Sequence, residues 1–339
     1  MNLFEWTRNH PDWHIVCPIC KKQIDLCSPV SGVGLSKNKL KCTHQCSFEI
    51  DTNWIWYKIK ASLLVEHLLM RVPNYTLKDA WEWVNIFKYN NPTYQISQEV
   101  ERQSAEIELK HILDADTSWT HGNVLSVGCN SGQELFIFNN YSDIKSIVCV
   151  DISRTILECA VKKNHKALIA KHKSLAEPNK LFNIYYCESF VENLPSQLEC
   201  YEAEEDGLSS KTISYNNKFD LVLVLKLFQS SYFDEFKLRR SLICLARQMC
   251  SGGLLIISFA KATEYISEDQ EITLDSNGNI KNPKINFVSG VYQPKGFTDS
   301  FEHLNRLVRE VLFIGEFKDV SVYYGNDKSF EYYISCKKI

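Results

Sequence analysis

The chain has 339 residues, 45% hydrophobic and 23% charged, with a formal net charge of −3. That gives room for one large domain and a small one; it excludes a strongly basic nucleic-acid binder, and no apolar run is long enough to span a bilayer. The opening MNLFEWTRNHPDWH lacks the basic and apolar regions of a secretory signal, so a cytoplasmic location is expected and the 13 cysteines read as metal ligands and buried thiols.

Residues 15–50 are rich in Cys and punctuated by Gly, Pro and Ser, which predicts a compact loop-and-hairpin module. Cys17-Pro-Ile-Cys20 is followed by Cys42-Thr-His-Gln-Cys46. Two close cysteine pairs separated by a short loop can set four thiolates tetrahedrally around zinc, which makes Cys17, Cys20, Cys42 and Cys46 the candidate ligands. The second pair has one residue more than the ideal spacing, so His44 or Cys27 can substitute; buried free thiols are the plainer alternative. Four protein ligands leave no open position, so the metal would be structural. Lys21, Lys22, Lys37, Lys39 and Lys41 make the module locally basic, and Trp13, Trp54 and Trp56 lie near it in sequence.

Three helices are predicted next. Residues 53–70 carry apolar side chains at helical spacing, Thr76 can cap a second helix over 77–89, and 96–114 form a third, amphipathic one. All seven tryptophans precede residue 120, which marks a boundary. The expected organisation is a zinc-ribbon-like module over 1–52, a helical linker or lid over 53–120, and a large domain over 121–339.

From residue 122 short apolar strands alternate with helices. Strands are expected at 123–129, 146–151, 183–188, 219–225 and 253–259, with helices starting near Ser131 and covering 153–164 and 238–250. The end, DVSVYYGNDKSFEYYISCKK, reads as an antiparallel hairpin turning at Gly325-Asn326-Asp327. The fold class is therefore α/β: a doubly wound, mostly parallel sheet of seven strands, closed by that hairpin and covered on both faces. Residues 196–217 are acidic and polar and read as a mobile loop, and 262–299 as a lid or substrate loop carrying Tyr292.

The chemistry gathers where the first strand meets the first helix. In VLSVGCNSG, Gly128 permits a sharp turn and Gly132 leaves room for a ligand at a helix start. The second strand ends in Asp151, whose carboxylate can accept two hydrogen bonds from ribose hydroxyls; the plainer role is a cap on the helix that begins near Ser153. Lys226 and Gln229 follow the fourth strand, at the edge where an acceptor would sit: either can orient a substrate carbonyl, and Lys226 can stabilise developing negative charge, unless it is only a solvated charge.

Taken together, VLSVGCNSG, VCVDIS, YYCESFVENLP, FDLVLVLKLF, SGGLLIISF and the closing hairpin resemble the class I S-adenosylmethionine-dependent methyltransferases, over about two thirds of the chain. The resemblance implies S-adenosylmethionine as cofactor. It places the methionine part along Gly128, Cys129, Asn130 and Gly132, the ribose on Asp151, adenine against Ile152, and the adenine amino group by Glu188 and Ser189. Two positions depart from the pattern: Ser126 stands where the family has an acidic residue, and Asn130 where it has glycine. With KCTHQCSFEID following CPIC, the chain also resembles the bacterial zinc-ribbon methyltransferases that modify a guanine of large-subunit ribosomal RNA, although 53–114 and 262–339 do not follow that family. That resemblance implies RNA as acceptor. A small-molecule methyltransferase and a non-catalytic binding protein with a decayed cofactor loop are the competing classes.

Overall fold

The computed structural model describes residues 17, 20, 39–41, 49–51, 65, 68–69, 74–89, 109–141, 143–162, 182–204, 207–225, 227–228, 233–260, 300–324 and 331–339. The chain divides into two compact units, Met1–Glu99 and Val100–Ile339.

In the first unit, β1 (Lys39–Lys41) and β2 (Glu49–Asp51) form an antiparallel pair, with Leu40 opposite Ile50. Helix α1 spans Leu77–Tyr89, over the range its periodicity predicts. Thr76 caps it as expected: the Asp79 N–H donates to Thr76 Oγ1 at 3.1 Å, and the Thr76 N–H donates back to Asp79 Oδ2 at 3.0 Å. Each end of this reciprocal pair satisfies a donor that helix geometry leaves without an intrahelical partner. Of the expected helix over 53–70, residues 65, 68 and 69 are helical and the rest lies outside the described residues; of the one over 96–114, residues 109–114 are described and all are helical.

The second unit is built on one sheet with the order β10-β11-β9-β8-β3-β4-β5-β6-β7. Its members are β3 (Asn123–Val127), β4 (Ser146–Asp151), β5 (Asn183–Glu188), β6 (Leu198–Glu204), β7 (Gly207–Tyr215), β8 (Phe219–Leu225), β9 (Met249–Ala260), β10 (Phe317–Tyr324) and β11 (Glu331–Lys338). Strands β9, β8, β3, β4 and β5 are mutually parallel, and only β6 and β11 run against the common direction. The mostly parallel α/β sheet and its closing antiparallel hairpin are thus as the sequence implies.

The expected count of seven strands needs correction to nine. Residues 196–217, read as an acidic loop, contain β6 and β7. Along β6, Leu198 and Cys200 are fully buried with Glu199 exposed between them, while Glu202 and Glu204, in phase with the buried pair, are exposed further along the strand. The acidic content therefore belongs to a strand that alternates over the core and then becomes exposed, and Thr212 and Ser214 of β7 donate their hydroxyls to Glu199 at 3.2 and 2.7 Å.

Helices α3 (Glu235–Gln248) and α4 (Ser300–Phe313) cover one face of the sheet. Leu238, Leu242 and Leu245 of α3 and Leu304, Leu307, Val308 and Val311 of α4 share a core with Leu125, Val148, Val222 and Leu255. The alternate strand positions Val124, Ile147, Tyr186, Leu221 and Ile256 are equally buried, so the second face is covered too, and Trp119 and Phe138 are buried outside that first core. Helix α2 (Arg154–Ala160) follows β4 and buries Ile156, Leu157 and Ala160. β9 starts before the predicted 253 because Gly253 lets two backbones approach: a Cβ there would lie 3.0 Å from the Cys250 carbonyl and 3.1 Å from that of Phe219. No described helix is long and apolar enough to cross a membrane.

Candidate functional site

The strand order fixes where a ligand can sit. The chain runs from β3 outward through β4 and β5, then returns to β8 on the other side of β3. Connections therefore leave in opposite directions above the carboxyl ends of β3 and β8, which opens a crevice there. The segment after β8 closes against this point: a Cβ on Gly128 would lie 3.0 Å from the side chain of Leu227. Gly128 also has φ 66°, a left-handed value that side chains disfavour.

Asn130 and Gly132 share that conformation, at φ 51° and 70°. The loop thus turns at every second residue, and Asn keeps the middle turn where glycine was expected, because its short polar side chain tolerates αL. The loop is pinned to the neighbouring strand end. The N–H groups of Gly128 and Cys129 both donate to the Val150 carbonyl, at 2.8 and 3.1 Å, and Gly132 N–H donates to the Cys129 carbonyl at 2.8 Å.

Asp151 completes the arrangement. Its Oδ2 accepts from the Asn130 N–H and its Oδ1 from the Ser153 N–H, both at 3.1 Å. The capping role belongs instead to Ser153, whose hydroxyl accepts from Ile156 N–H at 3.3 Å. Asp151 is half-buried, and an N–H on each oxygen fixes its carboxylate at the strand end.

The neighbouring strand lines up with it. Glu188 is the register partner of Asp151, and Ser189 N–H donates to the Asp151 carbonyl at 3.0 Å. Ile152, Glu188 and Ser189 are all half-buried at this edge. The structure therefore brings together Gly128, Cys129, Asn130, Gly132, Asp151, Ile152, Glu188 and Ser189, all eight residues expected to bind the cofactor. Cys129 is 2% exposed. Burial, then the Cys149 thiol beside it, push its thiol well above the ordinary range, and Asp151 and Glu134 add to the effect, so it stays a neutral thiol.

Sequence reasoning passed over two residues here. Glu134 opens the 3-10 helix Gln133–Asn140, and its Oε1 accepts from the Ser126 hydroxyl at 2.6 Å. Arg154 on α2 bonds Glu158 at 3.1 Å, lies 4.7 Å from the centroid of the Tyr201 ring, and feels the charge of Glu188. The signal for Glu134 was its place two residues after the loop, where an acid suits a helix start. Arg154 is visible only once β6 brings Tyr201 alongside.

The residues expected to meet the acceptor, Lys226 and Gln229, lie outside the described residues, as do Tyr292 and the rest of 262–299. Of the candidate zinc ligands, Cys17 is buried and Cys20 half-buried, while Cys42, Cys46 and the substitutes His44 and Cys27 lie outside them. The connection between β1 and β2, residues 42–48, carries both cysteines of the second pair. Among the described residues no group of three or more His, Cys, Asp or Glu is placed to hold a metal. Trp13, Trp54, Trp56, Lys21, Lys22 and Lys37 are likewise outside, and Lys39 and Lys41 belong to β1.

No family model matches this chain, and no curated protein does. Among solved structures it is similar to the N-methyltransferase NodS from Bradyrhizobium japonicum, at 11% identity and a TM-score of 0.35 over 71% of this chain and 97% of that one. It is also similar to human N-acetylserotonin methyltransferase in complex with S-adenosylmethionine, at 14% identity and a TM-score of 0.43 over 85% of this chain and 69% of that one. A protein from Pyrococcus horikoshii gives 15% identity and a TM-score of 0.40 over 74% of this chain and 93% of that one. All three TM-scores lie below 0.5; the crevice's own residues carry the functional reading.

Proposed function

We propose that this protein is an S-adenosylmethionine-dependent methyltransferase. The supporting observation is the Asp151 carboxylate, held on both oxygens at the end of β4 and bonded to the Asn130 N–H of the glycine loop. A diol recognised there would have its base beside Glu188 and Ser189 on β5 and its other end along the 128–132 loop. The residues fit the cofactor: a fixed carboxylate for the ribose, a half-buried apolar neighbour in Ile152, and a loop whose glycines carry no side chain toward the ligand.

When bound, S-adenosylmethionine supplies a methyl group already activated on a cationic sulfur. The chain's own work is then alignment and exclusion of water rather than bond-breaking by a triad. Asp151 fixes the cofactor's rotation, and the strap from Gly128 to Gly132 fixes its depth. Lys226 and Gln229, which follow β8, orient the acceptor and steady charge on it; Leu227 between them already packs against Gly128. The described residues favour neither RNA nor a small molecule as acceptor.

Calorimetry tests the reading. S-adenosylhomocysteine should bind the wild type, and Asp151→Ala should weaken it by about 1–3 kcal/mol, roughly five- to 150-fold. Unchanged affinity would remove Asp151 from the ribose role. Transfer of labelled methyl to total RNA, set against a small-metabolite extract, then identifies the acceptor class.

We also infer a structural zinc held by Cys17, Cys20, Cys42 and Cys46, supported by the β1–β2 pair that brackets the second cysteine pair in sequence. Metal analysis should give about one zinc per chain, lost in Cys17→Ser. Folded protein free of metal would overturn it.

A further inference from the structure

We infer that Glu134, set in place by Ser126, is the anchor for the ammonium group of the cofactor's amino-acid end, an inference that rests on the cofactor reading above. In S-adenosylmethionine the base and the amino acid leave the ribose from opposite carbons. If the ribose sits on Asp151 and the base lies toward β5, the amino acid must extend the other way, across the end of β3 toward β8. That direction follows from the strand order β8-β3-β4-β5 alone.

The end of β3 carries no carboxylate of its own: the strand position is Ser126, 2% exposed. A buried hydroxyl by itself offers little to a cation. Here, however, the Ser126 hydroxyl donates to Glu134 Oε1 at 2.6 Å, in the short range of bonds to charged acceptors. Glu134 is half-buried just beyond Gly132. Cys129, in the middle of the loop, feels the charges of both Asp151 and Glu134. The loop is therefore bracketed by two carboxylates, one at each end of the path the ligand must follow.

The division of labour is chemical. Asp151 faces neutral hydroxyls, which need an acceptor held in one geometry. Glu134 faces the one fixed positive charge at the far end of the molecule, where a negative charge in a partly dehydrated pocket acts most strongly. The hydrogen bond from Ser126 to Oε1 fixes the orientation of the carboxylate at the end of β3. Ser126 is a positioning residue, acting through Glu134.

The test compares two ligands on the full chain: S-adenosylhomocysteine, which keeps the amino acid, and 5′-methylthioadenosine, which ends at the thioether. Glu134→Gln should weaken the first by roughly tenfold or more and leave the second within about twofold, since only the first carries the ammonium. Ser126→Ala should move affinity the same way by less, and the double variant should bind no worse than Glu134→Gln alone, because the two residues act through one contact. Equal losses for both ligands would mark Glu134 as merely structural and overturn the assignment. So would unchanged binding of S-adenosylhomocysteine by Glu134→Gln. Wild-type protein that binds neither ligand would sink the cofactor reading and this anchor with it, a result distinct from either of the others.

Discussion

Two antiparallel pairs flank the five parallel strands, and they are joined to them very differently. On one side β11 runs along β9 from Glu331 opposite Ala260 to Lys337 opposite Leu254. On the other side β6 meets β5 only at Tyr185 opposite Glu202 and Tyr186 opposite Tyr201. The burial differs in the same sense. Tyr333 and Ile334, consecutive and so on opposite faces of β11, are 1% and 0% exposed; in β6 only the alternate positions Leu198 and Cys200 are buried, before the strand runs out into solvent. One flank continues the two-sided core, and the other is a one-sided hairpin tied back at its ends. The tie at the chain's return is Tyr215, whose hydroxyl lies 2.5 Å from that of Ser146 on β4 and whose ring stacks on Phe219 at 5.4 Å.

Truncation should expose this difference most strongly. Ile334→Ala removes a side chain clamped between two paired strands, where the surroundings relax little, and should cost about 4 kcal/mol; Leu198→Ala, equally buried but in the loosely joined hairpin, should cost about 2 kcal/mol. Denaturant unfolding measures both. Amide exchange should separate them further, with β6 and β7 opening at lower free energy than β10 and β11. Equal costs with equal protection would show that the hairpin belongs to the same cooperative unit as the core and would break the comparison.

The same contrast explains what was legible in the sequence. Strands β4, β5 and β8 have the bounds their apolar runs predict, and β3 stops at Val127, two residues early, because Gly128 turns the chain. The terminal hairpin was legible because its strands alternate Val and Tyr with polar residues. Residues 196–217 were misread because their acidic content was weighed and their period of two was not: Leu198, Cys200, Ile213 and Tyr215 already marked the inward face. The helix expected after the loop is a 3-10 helix; the Phe-Ile-Phe-Asn-Asn that follows its first three residues is made of weaker helix formers. At the site, the glycine loop and Asp151 were readable because backbone turns and strand ends have local signatures. Glu134 and Arg154 were not, since each acquires its role from a partner, Ser126 or Tyr201, that the fold brings to it.

The smallest expected effect lies on the β11 side, and it depends on pH. Asp116, in the segment leading into β3, accepts from the Lys337 ammonium of β11 at 2.6 Å and from the Ser118 N–H at 3.0 Å. Partial burial alone would push its carboxyl up, but Lys337 and Ser118 together outweigh that and hold it below the usual carboxylate range. A carboxylate with a lowered folded pKa stabilises the protein above its unfolded pKa, and that contribution disappears as the pH falls through the lowered value. The pair is partly solvated, with the Lys337 side chain 35% exposed, so the contribution at neutral pH should be about 1 kcal/mol or less and should shrink with salt. Asp116→Asn removes the titrating group while keeping an acceptor for Ser118. Its stability deficit, followed by denaturant unfolding, should be present at pH 7 and shrink only as the pH falls below the usual carboxylate range, vanishing once the wild type has lost the same charge. No comparable loss is expected at the other end of the sheet, where the Tyr215 tie to Ser146 is uncharged and its hydroxyl, pushed up by burial, stays protonated throughout that window. A deficit that persists unchanged into acid would mean that Asp116 holds β11 through its shape and hydrogen bonds and not its charge.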